Sequence, residues 1–503
     1  MTTGQGSSGR LKALSALGLR ASGGRDVRVT GLSVDSRAVG HGHLFAALPG
    51  SRVHGGEFIE YALRMGAVAV LTDRRGAEIA AAALAASDAA LVIAEDPRQA
   101  LAGAAALWFG VQPETAVAVT GTNGKTSVAA FTRQLWEQAG LLACNFGTTG
   151  AEGAFTAPLS HTTPEPITLH RLLAEMADAG VTHVAMEASS HGLDQRRLDG
   201  VCLRAGAFTN FSRDHLDYHE SFAAYFAAKA GLFSRVLPEG AGAVINLDDP
   251  KGEEIARIAR ARGLCLLTVG CHAGADLRLL AQRFDATGQD IRFVWQGSVR
   301  QARLGLIGGF QALNALSAAA LVIAAGRGAP DAGAVLDSLP ALTTVRGRMQ
   351  LAATRENGAA VFVDYAHTPD AVATALQALR PHVMGRIVVV LGAGGDRDRE
   401  KRPLMGRAAA AHADQVIVTD DNPRSEEPAA IRAMVLEGAP EAAEVADRAE
   451  AILRGVDALG PGDALLIAGK GHETGQIIGD QVLPFDDAEQ ASVAVAALEG
   501  RPA

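Results

Sequence analysis

Lys125 and Thr126 follow directly on Gly121-Thr122-Asn123-Gly124, and the residues before them, Thr115 to Thr120, form an apolar and β-branched run. Such a run reads as a buried strand, the glycines as a tight turn, and Lys125-Thr126-Ser127 as the opening of a helix. A turn of this kind points backbone N–H groups at an anion, and the helix N-terminus adds positive potential. A lysine placed there reaches the outer phosphates of a nucleotide, and the adjacent hydroxyl can ligate Mg²⁺. The usual P-loop has glycine where this chain has Val119, so the match is to a shorter loop ending in GKT. The chemistry expected is binding of a nucleoside triphosphate.

A second concentration of reactive side chains lies near the C-terminal end. Four apolar runs, Ala359 to Val363, Arg386 to Leu391, Gln415 to Thr419 and Ala464 to Ala468, are each followed at once by a polar cluster. The clusters read DYAHTPD, GAGGDRDREKRP, DDNPRSEEP and GKGHE. Strands alternating with helices make a parallel sheet, and ligands collect beyond the carboxyl ends of its strands. Turn chemistry accounts for the Gly, Pro and Asp of these clusters but not for their Arg, His and Glu. Arg424, in DNPR, offers a planar fork suited to bidentate binding of a carboxylate. The four clusters are expected to converge on one edge of the sheet.

The elements that must position these groups follow from the rest of the chain. His183 to Met186 reads as a strand ending at Glu187, Ala243 to Asn246 as another ending near Asp248-Asp249, and an alanine-rich helix follows Asn314. A turn-like break at Val111-Gln112-Pro113 and a linker-like stretch from Leu339 to Arg348 divide the 503 residues into three parts. The boundaries predicted are 1–112, 113–342 and 343–503. The fold class expected is α/β, with a mostly parallel central sheet.

Composition narrows the partners. The net charge of −9 is spread over interleaved acids and bases, with no basic stripe to neutralise a phosphate backbone, which argues against nucleic acid. The four cysteines are scattered and form no C-x-x-C pair. Met1 to Arg10 is polar, no export-type segment follows it, and the longest apolar run, Ile79 to Ala86, is too short to span a bilayer. The chain is read as soluble and cytoplasmic, with no membrane partner.

Taken together, DSRAVGHGHLFAALPG, TGTNGKTS, HTTPEP, MEASSHGLDQRR, FTNFSRDHLDYH, AAKAGLF, RGRMQ, VDYAHTPD, GGDRDREKRP, DDNPRSEEP and AGKGHE resemble the Mur ligases, ATP-dependent amide-forming enzymes of peptidoglycan precursor assembly. Within that family the pattern is similar to the type that adds meso-diaminopimelate to UDP-N-acetylmuramoyl-L-alanyl-D-glutamate. The resemblance implies a uridine-nucleotide domain, a central P-loop-type ATPase domain and a Rossmann-like C-terminal domain. It implies a reaction in which ATP converts a carboxylate to an acyl phosphate that an amine then attacks.

Residue roles carry over position by position. Lys125, Glu187, His215 and Lys229 become the catalytic set, and Thr126, Glu187, His215 and Lys229 the surroundings of Mg²⁺, with His219 a competitor for His215. Lys229, in FAAYFAAKAGLF, would mark a solvated helix face by its residues alone. By resemblance it carries a carbamate (N6-carboxylysine). The ATP site comprises Gly121 to Ser127 with Asn314, Arg348 and Asp364, and His367 offers either a further contact or a turn. The UDP-MurNAc-dipeptide site comprises Val34, Ser36, Ser51, Thr162, Thr163, Ser189, Gln195 and Arg197. The diaminopimelate site comprises Arg397, Asp421, Asn422, Pro423, Arg424, Gly469 and Glu473, where Gly469 leaves room for backbone approach, and Arg424 and Lys125 are expected to share one cleft. Addition of L-lysine, a folylpolyglutamate-synthetase-like ligase and a nucleotide-reading switch are the alternatives. DNPR speaks against the first two, SSHGLDQR also against the second, and the strand-end chemistry against the switch.

Overall fold

The structure, a computed structural model, describes residues 11–50, 53–159, 161–212, 218–326 and 328–500. Its centre is the strand Thr115–Thr120, buried along its whole length. Parallel strands His183–Glu187 and Leu203–Phe208 flank it on both sides. Val117 and Val119 face one core with Val128, Phe131 and Leu135 of the helix Lys125–Gln138 and with the helix Phe310–Ala324. Ala116 and Ala118 face a second core with Leu169 and Leu173 of the helix Pro166–Asp178. A parallel strand covered on both faces needs an unbroken apolar run, which is why its sequence shows no alternation.

This strand belongs to a ten-stranded sheet. After it the chain builds Ala143–Gly147 and His183–Glu187 to one side, then crosses to Leu203–Phe208 and Gly242–Asn246 on the other. The reversal opens a crevice beyond the carboxyl end of Thr115–Thr120, the place where open α/β sheets take ligands. An antiparallel extension, Leu277–Asp285, Gly288–Trp295 and Ser298–Leu304, completes one edge. The helix placed after Asn314 in fact begins at Phe310, so Asn314 lies inside it and is buried. The apolar stretch Ile79 to Ala86 is divided between the short helices Arg74–Ile79 and Ala81–Ala85.

A four-stranded parallel sheet, Gly31–Ser33, His43–Ala46, Ala69–Thr72 and Ala90–Ile93, precedes the central one. A six-stranded sheet follows it, in the order Gln350–Thr354, Ala360–Asp364, Ala464–Ala468, Ile387–Leu391, Gln415–Val418, Ala443–Glu444. All its pairings are parallel except the first. The four apolar runs near the C-terminal end are its four inner strands, with bounds shifted by at most a residue, so the four polar clusters do gather at one edge. Among the described residues no helix is long and apolar enough to cross a membrane.

The first and central sheets meet where the helix Pro97–Phe109 packs on Pro166–Asp178. His170 is 3% exposed there, and its Nε2 has no hydrogen-bond partner. Burial pushes its pKa down from 6.5 to about 4. The folded protein therefore holds His170 neutral where the unfolded chain would protonate it. Unfolding titrations should show stability present above pH 6.5, declining as the pH falls toward about 4 and flat below. His170→Gln should lessen that decline, and an unchanged slope would contradict the assignment.

Candidate active site

Two glycines shape the loop after Thr120. Gly121 has φ +150°, and a Cβ there would run into the Thr209 hydroxyl; Gly124 has φ +85°, and a Cβ would lie 2.7 Å from Asn314 Oδ1. Asn210 anchors the turn from the neighbouring strand end: Thr122 N donates to its carbonyl at 2.9 Å, and Asn123 N to its Oδ1 at 2.9 Å. Thr209 Oγ1 donates to Asn123 O at 2.6 Å.

Both lysines singled out in the sequence reach this loop. Lys125 Nζ donates to Gly121 O at 2.9 Å and Thr122 O at 2.8 Å, while Lys229 Nζ donates to the same Gly121 carbonyl at 2.6 Å. Lys229 is 1% exposed and lies 4.7 Å from the centroid of the Tyr225 ring. The solvated-face reading of Lys229 is therefore wrong. Its helix, Phe222–Gly231, buries Tyr225, Phe226 and Ala230 along with it. Two ammonium groups converging on one carbonyl repel each other at close range, and an anion in the loop relieves that repulsion.

Glu187 ends its strand inside the same crevice, 2% exposed. Its Oε1 accepts from Thr126 Oγ1 at 3.0 Å and from Thr148 N at 2.8 Å. Gly147 leaves the room for this carboxylate, since a Cβ there would overlap Oε1. Thr126 and Glu187 thus present two hard oxygen donors at one point, the donor type that Mg²⁺ takes. Among the described residues no three His, Cys, Asp or Glu side chains form a ready-made metal cluster. His215 and Ser51 lie outside the described residues. His219 is 6% exposed and packs among His191, Tyr218 and Tyr225.

The third sheet closes the crevice. Arg348 Nη2 donates to Thr126 Oγ1 at 3.2 Å, and its guanidinium sits 4.7 Å over the Tyr365 ring. Asp364 accepts from Met349 N at 2.7 Å; burial raises its pKa despite the opposing Arg348. His367 Nδ1 pairs with the Tyr365 carbonyl at 2.8 Å, a turn contact, while the ring also lines the cavity. Phe310 and the helix Pro369–Leu379 add an apolar wall, and the cavity measures about 780 Å³.

On the other side of Glu187, Thr163 Oγ1 donates to its carbonyl at 2.8 Å and accepts from Ser189 N at 3.0 Å. Arg197 Nη1 donates to Thr163 O at 2.5 Å and Nη2 to Gln195 Oε1 at 2.9 Å, and Thr162 Oγ1 lies 3.1 Å from Thr148 Oγ1. Thr162, Thr163, Ser189 and Arg197 line the cavity, whereas Gln195 stands behind Arg197, and Val34 and Ser36 lie outside the lining, Val34 just after the strand Gly31–Ser33 and Ser36 at the start of the short helix Ser36–Ala38. Arg98, unnoticed in the sequence, comes from the first unit. Its charge reinforces the effect of burial in lowering the pKa of Arg197.

The Asp421-to-Arg424 turn forms a second cluster. Asn422 Nδ2 donates to Glu473 Oε2 at 2.8 Å, and the fully buried Lys470 donates to Asn422 Oδ1 at 3.0 Å, with Glu473 at 3.5 Å and Asp421 at 3.9 Å. Gly469 makes room for a side chain rather than a backbone: a Cβ would lie 2.5 Å from Asp421 Oδ2. Gly394 separates Arg424 from Arg397, and a Cβ there would lie 2.9 Å from Arg424 Nη1 and 3.7 Å from Arg397 Cγ. Pro423 carries the turn past Gly395, whose missing Cβ leaves space for its carbonyl.

This cluster does not line the 780 Å³ cavity. Tyr365 and His472 stand between, their ring centroids 5.1 Å apart. Of the two residues expected to share one cleft, Lys125 lines the cavity and Arg424 stands in the adjoining cluster. Charges from both act on Tyr365, whose hydroxyl pKa burial raises, Glu473 and Asp421 raising it further and Arg348 and Arg397 opposing. Burial pushes His472 down to about 4, with Arg348 adding to the effect, so the ring between the sites is neutral.

An α/β fold with a phosphate-type loop at the sheet reversal, walled by a second α/β unit with its own polar cluster, defines a nucleotide-dependent group-transfer enzyme. The chain belongs to the Mur ligase family. Residues 28–108 match the Mur ligase family catalytic domain, 119–322 the Mur ligase middle domain, and 347–471 the Mur ligase glutamate ligase domain. A UDP-N-acetylmuramoyl-L-alanyl-D-glutamate--2,6-diaminopimelate ligase from Bradyrhizobium diazoefficiens is 51% identical over 93% of this chain and 95% of its own. The enzyme of that name from Caulobacter vibrioides is 48% identical over 94% and 96%. A solved structure of such a ligase superposes with TM-score 0.70 at 33% identity, covering 97% of this chain and all of the other. A folylpolyglutamate synthase from Mycobacterium tuberculosis shares the fold alone, at 21% identity and TM-score 0.62 over 81% of this chain and 95% of its own.

Proposed function

We propose that this protein is an ADP-forming acid–amino-acid ligase that joins meso-diaminopimelate to UDP-N-acetylmuramoyl-L-alanyl-D-glutamate, in the cytoplasmic assembly of peptidoglycan precursor. The observation that carries the reading is the adjoining pair of sites. A phosphate loop gathers two lysines and a carboxylate on one side of Tyr365, and a guanidinium with acidic neighbours lies on the other. The relatives at about 50% identity support the same reading. Residues 1–112, 113–342 and 343–503 are taken as the units for uridine nucleotide, ATP and amino acid.

ATP enters over Gly121 to Ser127, with its adenosine toward Asn314, Asp364 and the apolar wall. Lys125 and Arg348 place positive charge where the γ-phosphoryl group transfers, and positioning with charge neutralisation is what such a transfer requires. Thr126 and Glu187 would hold Mg²⁺, with Lys229 and His215 completing its surroundings; when bound, the ion neutralises phosphate oxygens. A carbamate on Lys229 would exchange one of two converging cations for an anion. Labelled bicarbonate should therefore give a carbamate carbon signal that Lys229→Arg lacks, and no such signal in the native protein would remove the assignment.

The UDP-dipeptide is assigned to Val34, Ser36 and Ser51 at the uridine end and to Thr162, Thr163, Ser189, Gln195 and Arg197 near the reacting carboxylate. That carboxylate attacks the γ-phosphorus and ADP leaves. The amine then attacks the acyl carbon, and the C–O bond breaks to release phosphate. Closure of the third unit over the loop, through Arg348, excludes water from the acyl phosphate. Arg424, with Arg397, is assigned the distal carboxylate of diaminopimelate, and Asp421 and Glu473 its ammonium groups. L-lysine would leave the guanidinium facing an ammonium group. Phosphate release should need the UDP-dipeptide and diaminopimelate together. Release of equal rate with L-lysine, or with no amino acid, would overturn the reading.

A further inference from the structure

Arg424 has φ +53°, in the left-handed region. A residue with a side chain keeps that conformation only where its surroundings impose it. The imposing element is the antiparallel hairpin of strands Gly475–Ile478 and Gln481–Pro484, turned at Gly479-Asp480. Arg424 N donates to Ile477 O at 3.0 Å, and Gly479 N donates to Arg424 O at 2.8 Å, so the hairpin takes both backbone groups of the residue. Upstream, Ile477 N donates to Asn422 Oδ1 at 2.9 Å and Gln476 Nε2 donates to Asp421 O at 2.8 Å. The bracket thus runs from Asp421 to Arg424. On the far side, Arg424 Nη1 donates to Gly395 O at 2.8 Å, which aims the guanidinium along the glycine cradle beside Arg397.

We infer that the hairpin Gly475–Pro484 sets the amino-acid specificity of the enzyme, with Gln476 as its positioning residue. It holds Asp421 to Arg424 in the one backbone path that presents the guanidinium to a carboxylate at the far end of the incoming amino acid. Of the hairpin's bonds to the turn, that of Gln476 is made by a side chain, so it can be deleted without altering a backbone group. Gln476 touches no reacting atom in this account; it acts through the turn from Asp421 to Arg424. The inference rests on the reading of Arg424 as the receiver of that distal carboxylate.

The test uses the full-length enzyme and four variants: Gln476→Met, which keeps the size and loses the donor, Gln476→Lys, which restores an N–H donor, Arg424→Ala, and Arg424→Ala with Gln476→Met. Gln476→Met should raise KM for diaminopimelate about tenfold or more, as expected of a displaced recognition group. It should leave kcat, KM for ATP and the thermal midpoint near their original values, and narrow the preference for diaminopimelate over L-lysine. Gln476→Lys should recover most of the loss. The double variant should fall well short of the product of the two single losses, because both residues act on one turn. Losses that multiply in the double variant, a joint shift of every constant with the thermal midpoint, or an unchanged KM for Gln476→Met beside a raised one for Arg424→Ala would each overturn the positioning role. An unchanged KM for Arg424→Ala would overturn the reading of Arg424 itself, and the inference with it.

Discussion

Lys125→Ala should lower the rate of phosphate release by at least about a hundredfold, the usual cost of removing one preorganised group that meets charge in the transition state. The loss should fall on kcat more than on KM for ATP. The loop itself survives the change, because Asn210 and Thr209 hold its backbone independently of the lysine. Lys229 still reaches the Gly121 carbonyl, yet it cannot substitute, since the proposed carbamate makes it an anion. Lys125→Arg should rescue little: a planar fork does not fit where a compact ammonium lies 2.9 and 2.8 Å from two carbonyls of one tight turn. Release at close to the original rate from Lys125→Ala would remove the loop from the chemistry.

Arg424→Ala should lower kcat/KM for diaminopimelate by roughly two orders of magnitude, the scale of losing one member of a desolvated, hydrogen-bonded charge pair. KM for ATP and for the UDP-dipeptide should stay within about twofold, because Tyr365 and His472 separate this cluster from the cavity. Arg424→Lys should recover only part, lacking the fork that binds both carboxylate oxygens. An equal loss of affinity for all three substrates would make Arg424 a structural residue of the turn.

The elements legible in the sequence were those whose patterns have one physical cause. Thr115–Thr120, His183–Glu187 and Ala464–Ala468 are parallel strands covered on both faces, so each is a solid apolar run. The strands Leu277–Asp285 to Ser298–Leu304 escaped notice because half their side chains face solvent and charged residues interrupt the pattern. The hairpin at Gly475–Pro484 had a signal, a Gly-Asp pair between two short β-prone segments, which is ordinary hairpin chemistry. The residue-only reading of Lys229 went by its charge, although Lys229 follows Tyr225 and Phe226 at helical spacing and so shares their buried face, while Phe222, Ala223, Ala224 and Ala227 are exposed. Lys470 was passed over although it is fully buried, its charge held among Asp421, Asn422 and Glu473. The bond from Arg348 to Thr126 and the approach of Arg98 to Arg197 depend on how separate sheets are set against each other, which no local pattern records.

An oxygen-isotope transfer tests the ligase account most directly. With ¹⁸O in the reacting carboxylate of the UDP-dipeptide and unlabelled ATP and water, activation as an acyl phosphate carries one labelled oxygen into the released phosphate. The account predicts one ¹⁸O per phosphate, formed in step with the new amide. Phosphate that carries no ¹⁸O would mean that water, not the carboxylate, receives the γ-phosphoryl group, and would contradict it.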